Sequence, residues 1–74
     1  MTLDEIKPGQ KCSVVDISAE GILGQRMLDM GFMPETIIEV VRNAPLADPI
    51  EIYMRGYLLT LRHSEAKAVE VVLV

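Results

Sequence analysis

Ile50-Glu51-Ile52-Tyr53-Met54-Arg55-Gly56-Tyr57-Leu58-Leu59-Thr60-Leu61 is the stretch that decides the fold. Ile50, Ile52 and Met54 fall on one face of an extended chain, with Glu51 and Tyr53 on the other. That alternation is the pattern of a half-buried strand. Arg55-Gly56 then separates this run from a second β-rich one. A two-residue connection with glycine supplying a positive φ makes an antiparallel hairpin. In the second run Tyr57, Leu59 and Leu61 are expected inward, and Leu58 and Thr60 outward.

The flanks carry the same β signature. Thr36 to Arg42 is β-branched and apolar on both faces, and reaches the hairpin through a loop with two prolines, Asn43 to Pro49. His63-Ser64-Glu65-Ala66 reads as a single capped helical turn, and Ala68 to Leu73 as a strand with Val69, Val71 and Leu73 inward. Towards the N-terminus, Lys11 to Ile17 is a valine-rich strand. Ile22 to Met30 has helical spacing, with Leu23, Met27 and Met30 at i, i+4 and i+7 and Gly31 as a left-handed stop. Thr2-Leu3-Asp4-Glu5 fits a capping box, ended by Lys7-Pro8-Gly9. The expectation is a mainly β fold: about five short antiparallel strands, one helix inserted after the first strand, and short helical turns. Closing so small a sheet into a barrel removes its edges. The predicted core is Val14, Leu23, Met27, Met30, Ile38, Val40, Ile50, Ile52, Leu59, Val69 and Val71.

Composition bounds the rest. With 74 residues, residues 1–74 are expected to form one domain. Residues of the AVILMFWYC class make up 50%, more than one small core can hide. Seven Lys and Arg against 11 Asp and Glu leave a net charge of −4, and the only aromatics are Phe32, Tyr53 and Tyr57. That argues against nucleic acid, which wants clustered cations and aromatic platforms. One cysteine and one histidine exclude a disulfide framework and a multi-histidine metal cluster. No secretory leader and no apolar run of membrane-spanning length is visible, so a cytoplasmic protein without membrane insertion is expected.

Chemistry finds little purchase. The carboxylates are scattered singly, with no matched acid and base pair, so no enzyme is expected. Cys12 shares a strand face with Val14 and reads as core rather than nucleophile. His63 with Glu65 offers at most a surface site for a weakly held divalent metal; no cofactor is otherwise expected. What remains is surplus apolar surface. Leu28 lies off the helix's core stripe, Phe32 and Met33 sit in a turn before Pro34, and Leu46 sits in the proline-rich loop. Leu28, Phe32, Met33 and Leu46 are therefore the expected partner contacts, with Arg26 orienting the partner. The competing arrangement has Phe32 plugging the open end of the barrel and Met33 covering it.

Several stretches together resemble the FeoA family. They are Leu3-x-x-Ile6-Lys7-Pro8-Gly9-Gln10; Gln25-Arg26-Met27-Leu28-Asp29-Met30-Gly31-Phe32-x-Pro34; Val40 to Ile52; and Arg55-Gly56-Tyr57-x-Leu59-x-Leu61-Arg62-x-x-Glu65-Ala66. The likeness covers nearly the whole chain, in order. It departs at Gly21-Ile22-Leu23-Gly24, where more polar residues are expected. The resemblance implies a small cytoplasmic SH3-like barrel that acts in bacterial ferrous iron uptake. It also implies a partner, the membrane transporter FeoB, contacted at its cytoplasmic part; self-association is left open. The same domain type forms the C-terminus of DtxR-type metal-dependent repressors, which supplies the alternative of a metal sensor or carrier.

Overall fold

The computed structural model describes residues 1–74. A single 3-10 turn, Leu3–Glu5, leads into β1 (Lys11–Ile17) and α1 (Gly21–Met30). There follow β2 (Ile37–Arg42), β3 (Ile50–Met54), β4 (Tyr57–Leu61), the one-turn α2 (His63–Ala66) and β5 (Val69–Leu73). All five strands belong to one antiparallel sheet in the order β4-β3-β2-β1-β5. The elements expected from the sequence are all present, in the expected order.

Local chemistry explains how so short a sheet curls. The register shifts between Val14 and Asp16 where β1 meets β5, and between Val40 and Arg42 where β2 meets β3. Each bulge inserts an extra residue, which bends its strand and increases the local twist. The β3–β4 turn has φ 55° at Arg55 and 84° at Gly56. Two positive φ values make a type I′ turn, whose twist matches that of the strands it joins.

The two outermost strands are treated differently. No ladder joins β4 to β5. The outer edge of β5 is covered by the N-terminus: the Val71 N–H donates to the Met1 carbonyl at 2.9 Å, and Thr2 bridges Glu70. The N-terminal turn is itself held by the Thr2 N–H on Glu5 Oε1 at 2.8 Å. It is held also by Asn43 Nδ2, which donates to the carbonyls of Asp4 and Ile6 at 2.9 and 2.8 Å. The backbone of β4 bonds to β3 alone.

Within the core, Val14, Met27, Ile38, Val40, Ile50, Ile52, Val69 and Val71 are buried as expected, and no polar side chain joins them. Leu23, Met30 and Leu59 only flank that core, half-buried. The predicted core leaves out Leu3, Ile6, Cys12, Phe32, Met54, Leu61 and Ala66, which complete it. Tyr57 and Leu73 were expected inward and are exposed. Each stands at the end of its strand, where the alternation continues but the core does not.

Candidate protein-docking site

α1 ends in a reversal that shapes the surface around it. Gly31 has φ 104°; its N–H donates to Leu28 O at 3.0 Å, and the Phe32 N–H donates to Met27 O at 3.1 Å. This pair of bonds is the Schellman arrangement, in which the second residue past the helix packs back on its last turn. Phe32 is accordingly in the core with Met27, both fully buried. The expectation that Phe32 contacts a partner is thereby corrected: it shapes the turn from beneath. Met33, one residue on, is exposed.

The β3–β4 hairpin closes against the same helix end. A methyl group at Gly31 would stand 3.2 Å from Arg55 Cδ and 3.8 Å from Met54 Cε, so the absent side chain admits the hairpin tip. Arg55 Nη1 lies 4.0 Å from Met33 Sδ. Between helix and hairpin runs a groove of about 350 Å³, lined by Leu28, Met30, Met33, Met54, Tyr57 and Leu59 with Asp29 and Arg55 at its rim. A second groove of about 370 Å³ lies on the other side of Leu28, over Ile17, Ala19, Gly24, Phe32 and Pro34. Leu28, 50% exposed, is the ridge between them.

Two other expected contacts lie elsewhere. Arg26 sits two positions from Leu28, about 200° round the helix. Its guanidinium is 3.9 Å from Glu65 Oε2, beside α2, in a cleft it shares with Leu23, Pro49 and Arg62. Leu46 is fully exposed, but its loop enters β3 at Ile50, the end opposite the Met54–Tyr57 pair that borders the groove. Four residue steps along the strand, about 13 Å, separate the two ends. The structure therefore unites Leu28 with Met33 and separates Arg26 and Leu46 from them. It adds Tyr57, Leu59 and Met30, which were assigned to the core. Alternation gives a side chain's face; it does not give the depth of core beneath it.

His63 and Glu65, the metal candidates, are each held by other groups. His63 Nδ1 is 2.7 Å from Asp48 Oδ1, and Nε2 is 3.0 Å from Asn43 Oδ1. Glu65 Oε1 accepts the Arg62 N–H at 2.9 Å. No three His, Cys, Asp or Glu side chains converge. His63 instead ties the 43–49 loop to α2, its backbone N–H also donating to Asp48 Oδ1 at 2.8 Å. Burial pushes the Cys12 thiol up to about 11, so it is protonated and enclosed at neutral pH.

Two carboxylates link this scaffold to pH. The His63 side-chain hydrogen bond, with its backbone N–H, lowers the Asp48 pKa below the ordinary 3.8. The Thr2 backbone and side-chain bonds lower that of Glu5 below the ordinary 4.5. A lowered folded value means stability that is complete above the unfolded value and lost as pH falls through the folded one. Thermal melts should therefore weaken below about pH 4. Asp48→Asn and Glu5→Gln should each flatten that acid limb; an unchanged limb in the double variant would refute the assignment.

Comparison with known proteins agrees with this architecture. The FeoA domain family model matches residues 1–73. A Fe(2+) transport protein A/Fe(2+) transporter FeoB fusion protein of Porphyromonas gingivalis is 35% identical over all 74 residues, which span 9% of its length. The Fe(2+) transport protein A of Campylobacter jejuni is 32% identical, with both chains covered completely. Among solved structures, Stenotrophomonas maltophilia FeoA, crystallised with zinc and described as a procaryotic SH3 domain protein, superposes with a TM-score of 0.86. It is 27% identical over 96% of this chain and 88% of its own. No helix here is long and apolar enough to cross a membrane. A five-stranded curled sheet and a family match along nearly the whole sequence lead to one assignment: the chain belongs to the FeoA family.

Proposed function

We propose that this chain serves ferrous iron uptake as a docking protein of a FeoB-type transporter, through contact and not catalysis. The groove at the α1 terminus, with Leu28 and Met33 exposed on it, carries this reading. A few desolvated apolar anchors dominate most interfaces. Family membership supports the link to iron transport, and the Porphyromonas relative joins the two components in one polypeptide. The partner surface is taken to be the transporter's cytoplasmic part.

Capture of the transporter's soluble part by tagged protein tests this. Leu28→Gln should leave the melting temperature within a few degrees and weaken capture about tenfold or more. Leu46→Gln and Arg26→Gln, which lie off the groove, should have smaller effects. Full capture by folded Leu28→Gln would remove the groove from consideration. Metal carriage is the second reading, favoured only by the zinc in the Stenotrophomonas relative. Stoichiometric Fe²⁺ binding that His63→Ala abolishes would promote it.

A further inference from the structure

In a two-residue hairpin the residues flanking the turn, here Met54 and Tyr57, exchange hydrogen bonds. Alternation makes Ile52–Leu59 and Ile50–Leu61 the next bonded pairs. The N–H and C=O groups of Leu58 and Thr60 consequently point away from β3, and no backbone or side-chain group of the protein meets them. Natural sheets blunt such an edge with lysine, proline, a bulge or a covering segment. β4, Tyr57-Leu58-Leu59-Thr60-Leu61, has neither lysine nor proline, and its register with β3 is unbroken. The middle of the opposite edge is covered by Met1 and Thr2, at Glu70 and Val71, whereas no residue of the β4 edge is met by another backbone group.

Charge says what fits there. Arg55 and Arg62 bracket β4, and both are exposed. The protein's close ion pairs engage Arg26, Arg42 and His63, so neither bracketing arginine has a carboxylate within 4.0 Å in a chain of net charge −4, although Asp48, bonded to His63, lies within electrostatic reach of Arg62. We propose that the β4 edge takes up an extended segment of a partner protein, apolar at alternate positions and carrying Asp or Glu at both ends. Its backbone pairs with Leu58 and Thr60, its carboxylates meet Arg55 and Arg62, and its apolar side chains fall beside Tyr57 and Leu59. A second copy of this chain fits poorly. A two-fold axis at Leu59 would set Leu58 against Thr60, but would bring Arg62 of each copy towards Arg55 of the other.

The probe is a blocked synthetic peptide of about ten residues, alternating valine and threonine between pairs of aspartates, added to isotope-labelled protein. Amide shifts and slowed exchange should centre on Leu58 and Thr60, and binding should weaken with salt. Thr60→Pro removes an outward N–H and spares the β3 ladder, so it should lower affinity about tenfold or more with the β3 amides unchanged. The double variant Arg55→Gln/Arg62→Gln, and a peptide ended in lysines, should weaken binding similarly. No shift up to millimolar peptide, or shifts confined to another surface, overturns the proposal. Concentration-dependent shifts at Leu58 and Thr60 without peptide overturn it too, by naming a second copy as the occupant. The edge shares Tyr57 and Leu59 with the groove, but the readouts are separate: full transporter capture by Leu28→Gln would sink the docking reading without moving the peptide shifts at Leu58 and Thr60.

Discussion

Phe32→Ala is expected to remove roughly half of the protein's folding stability. The ring is fully buried and is the largest side chain in the core. Truncating a buried phenylalanine costs about 3–5 kcal/mol, through lost transfer energy and the cavity left behind. A domain of this length has roughly 4–11 kcal/mol in total, at about 0.05–0.15 kcal/mol per residue. The loss falls where relaxation is hardest, because the Gly31 and Phe32 backbone bonds to Leu28 and Met27 fix the turn that carries the ring. Urea melts should move to much lower midpoints with the slope unchanged. A change below about 1 kcal/mol would mean that the ring is not packed as described.

Gly24→Ala is the second large effect, and it runs against intuition. Alanine in a helix interior is normally worth about 1 kcal/mol over glycine. Here the added Cβ would lie 2.6 Å from the Ala19 carbonyl oxygen and 3.1 Å from its carbon. Backbone cannot swing aside as a side chain can, so α1 must lift from the segment that leads into it. Overpacking of this kind costs about 1–3 kcal/mol, enough to cancel or reverse the propensity gain and lower the melting temperature by several degrees. A higher melting temperature for Gly24→Ala would show that the approach is looser. The same contact makes Gly24, within the Gly21-Ile22-Leu23-Gly24 stretch, a spacing requirement; the exposed Ile22 beside it is not explained by that contact.

The strands were legible because their alternation is a local property. Lys11–Ile17, Ile50–Met54 and Tyr57–Leu61 have the boundaries read from the sequence, and the helix differs by one residue at its start. Gly31 was legible as a stop for the same reason. Phe32 was legible only as the competing arrangement, a plug for the barrel, since its burial follows from where the 6→1 bond sends the chain and Pro34 by itself suggests a stiff turn. Leu46 was grouped with Leu28 because both are apolar and surplus. Only the β3–β4 register reveals that they lie towards opposite ends of β3. His63 and Glu65 were paired because they stand two apart in sequence; in the fold it is Asp48 and Asn43 that face the imidazole.

A sheet with one open edge can be joined once and no further. Filament growth by edge addition needs two templates per molecule, one to receive and one to offer. Met1 and Thr2 occupy the β5 template, so any edge-to-edge encounter between copies terminates at a pair. Those two residues thus act as a chain terminator in the polymer sense. Deleting them would give each molecule two live ends, and concentrated solutions of the shortened protein should then grow fibres where the intact chain stays at small, finite assemblies.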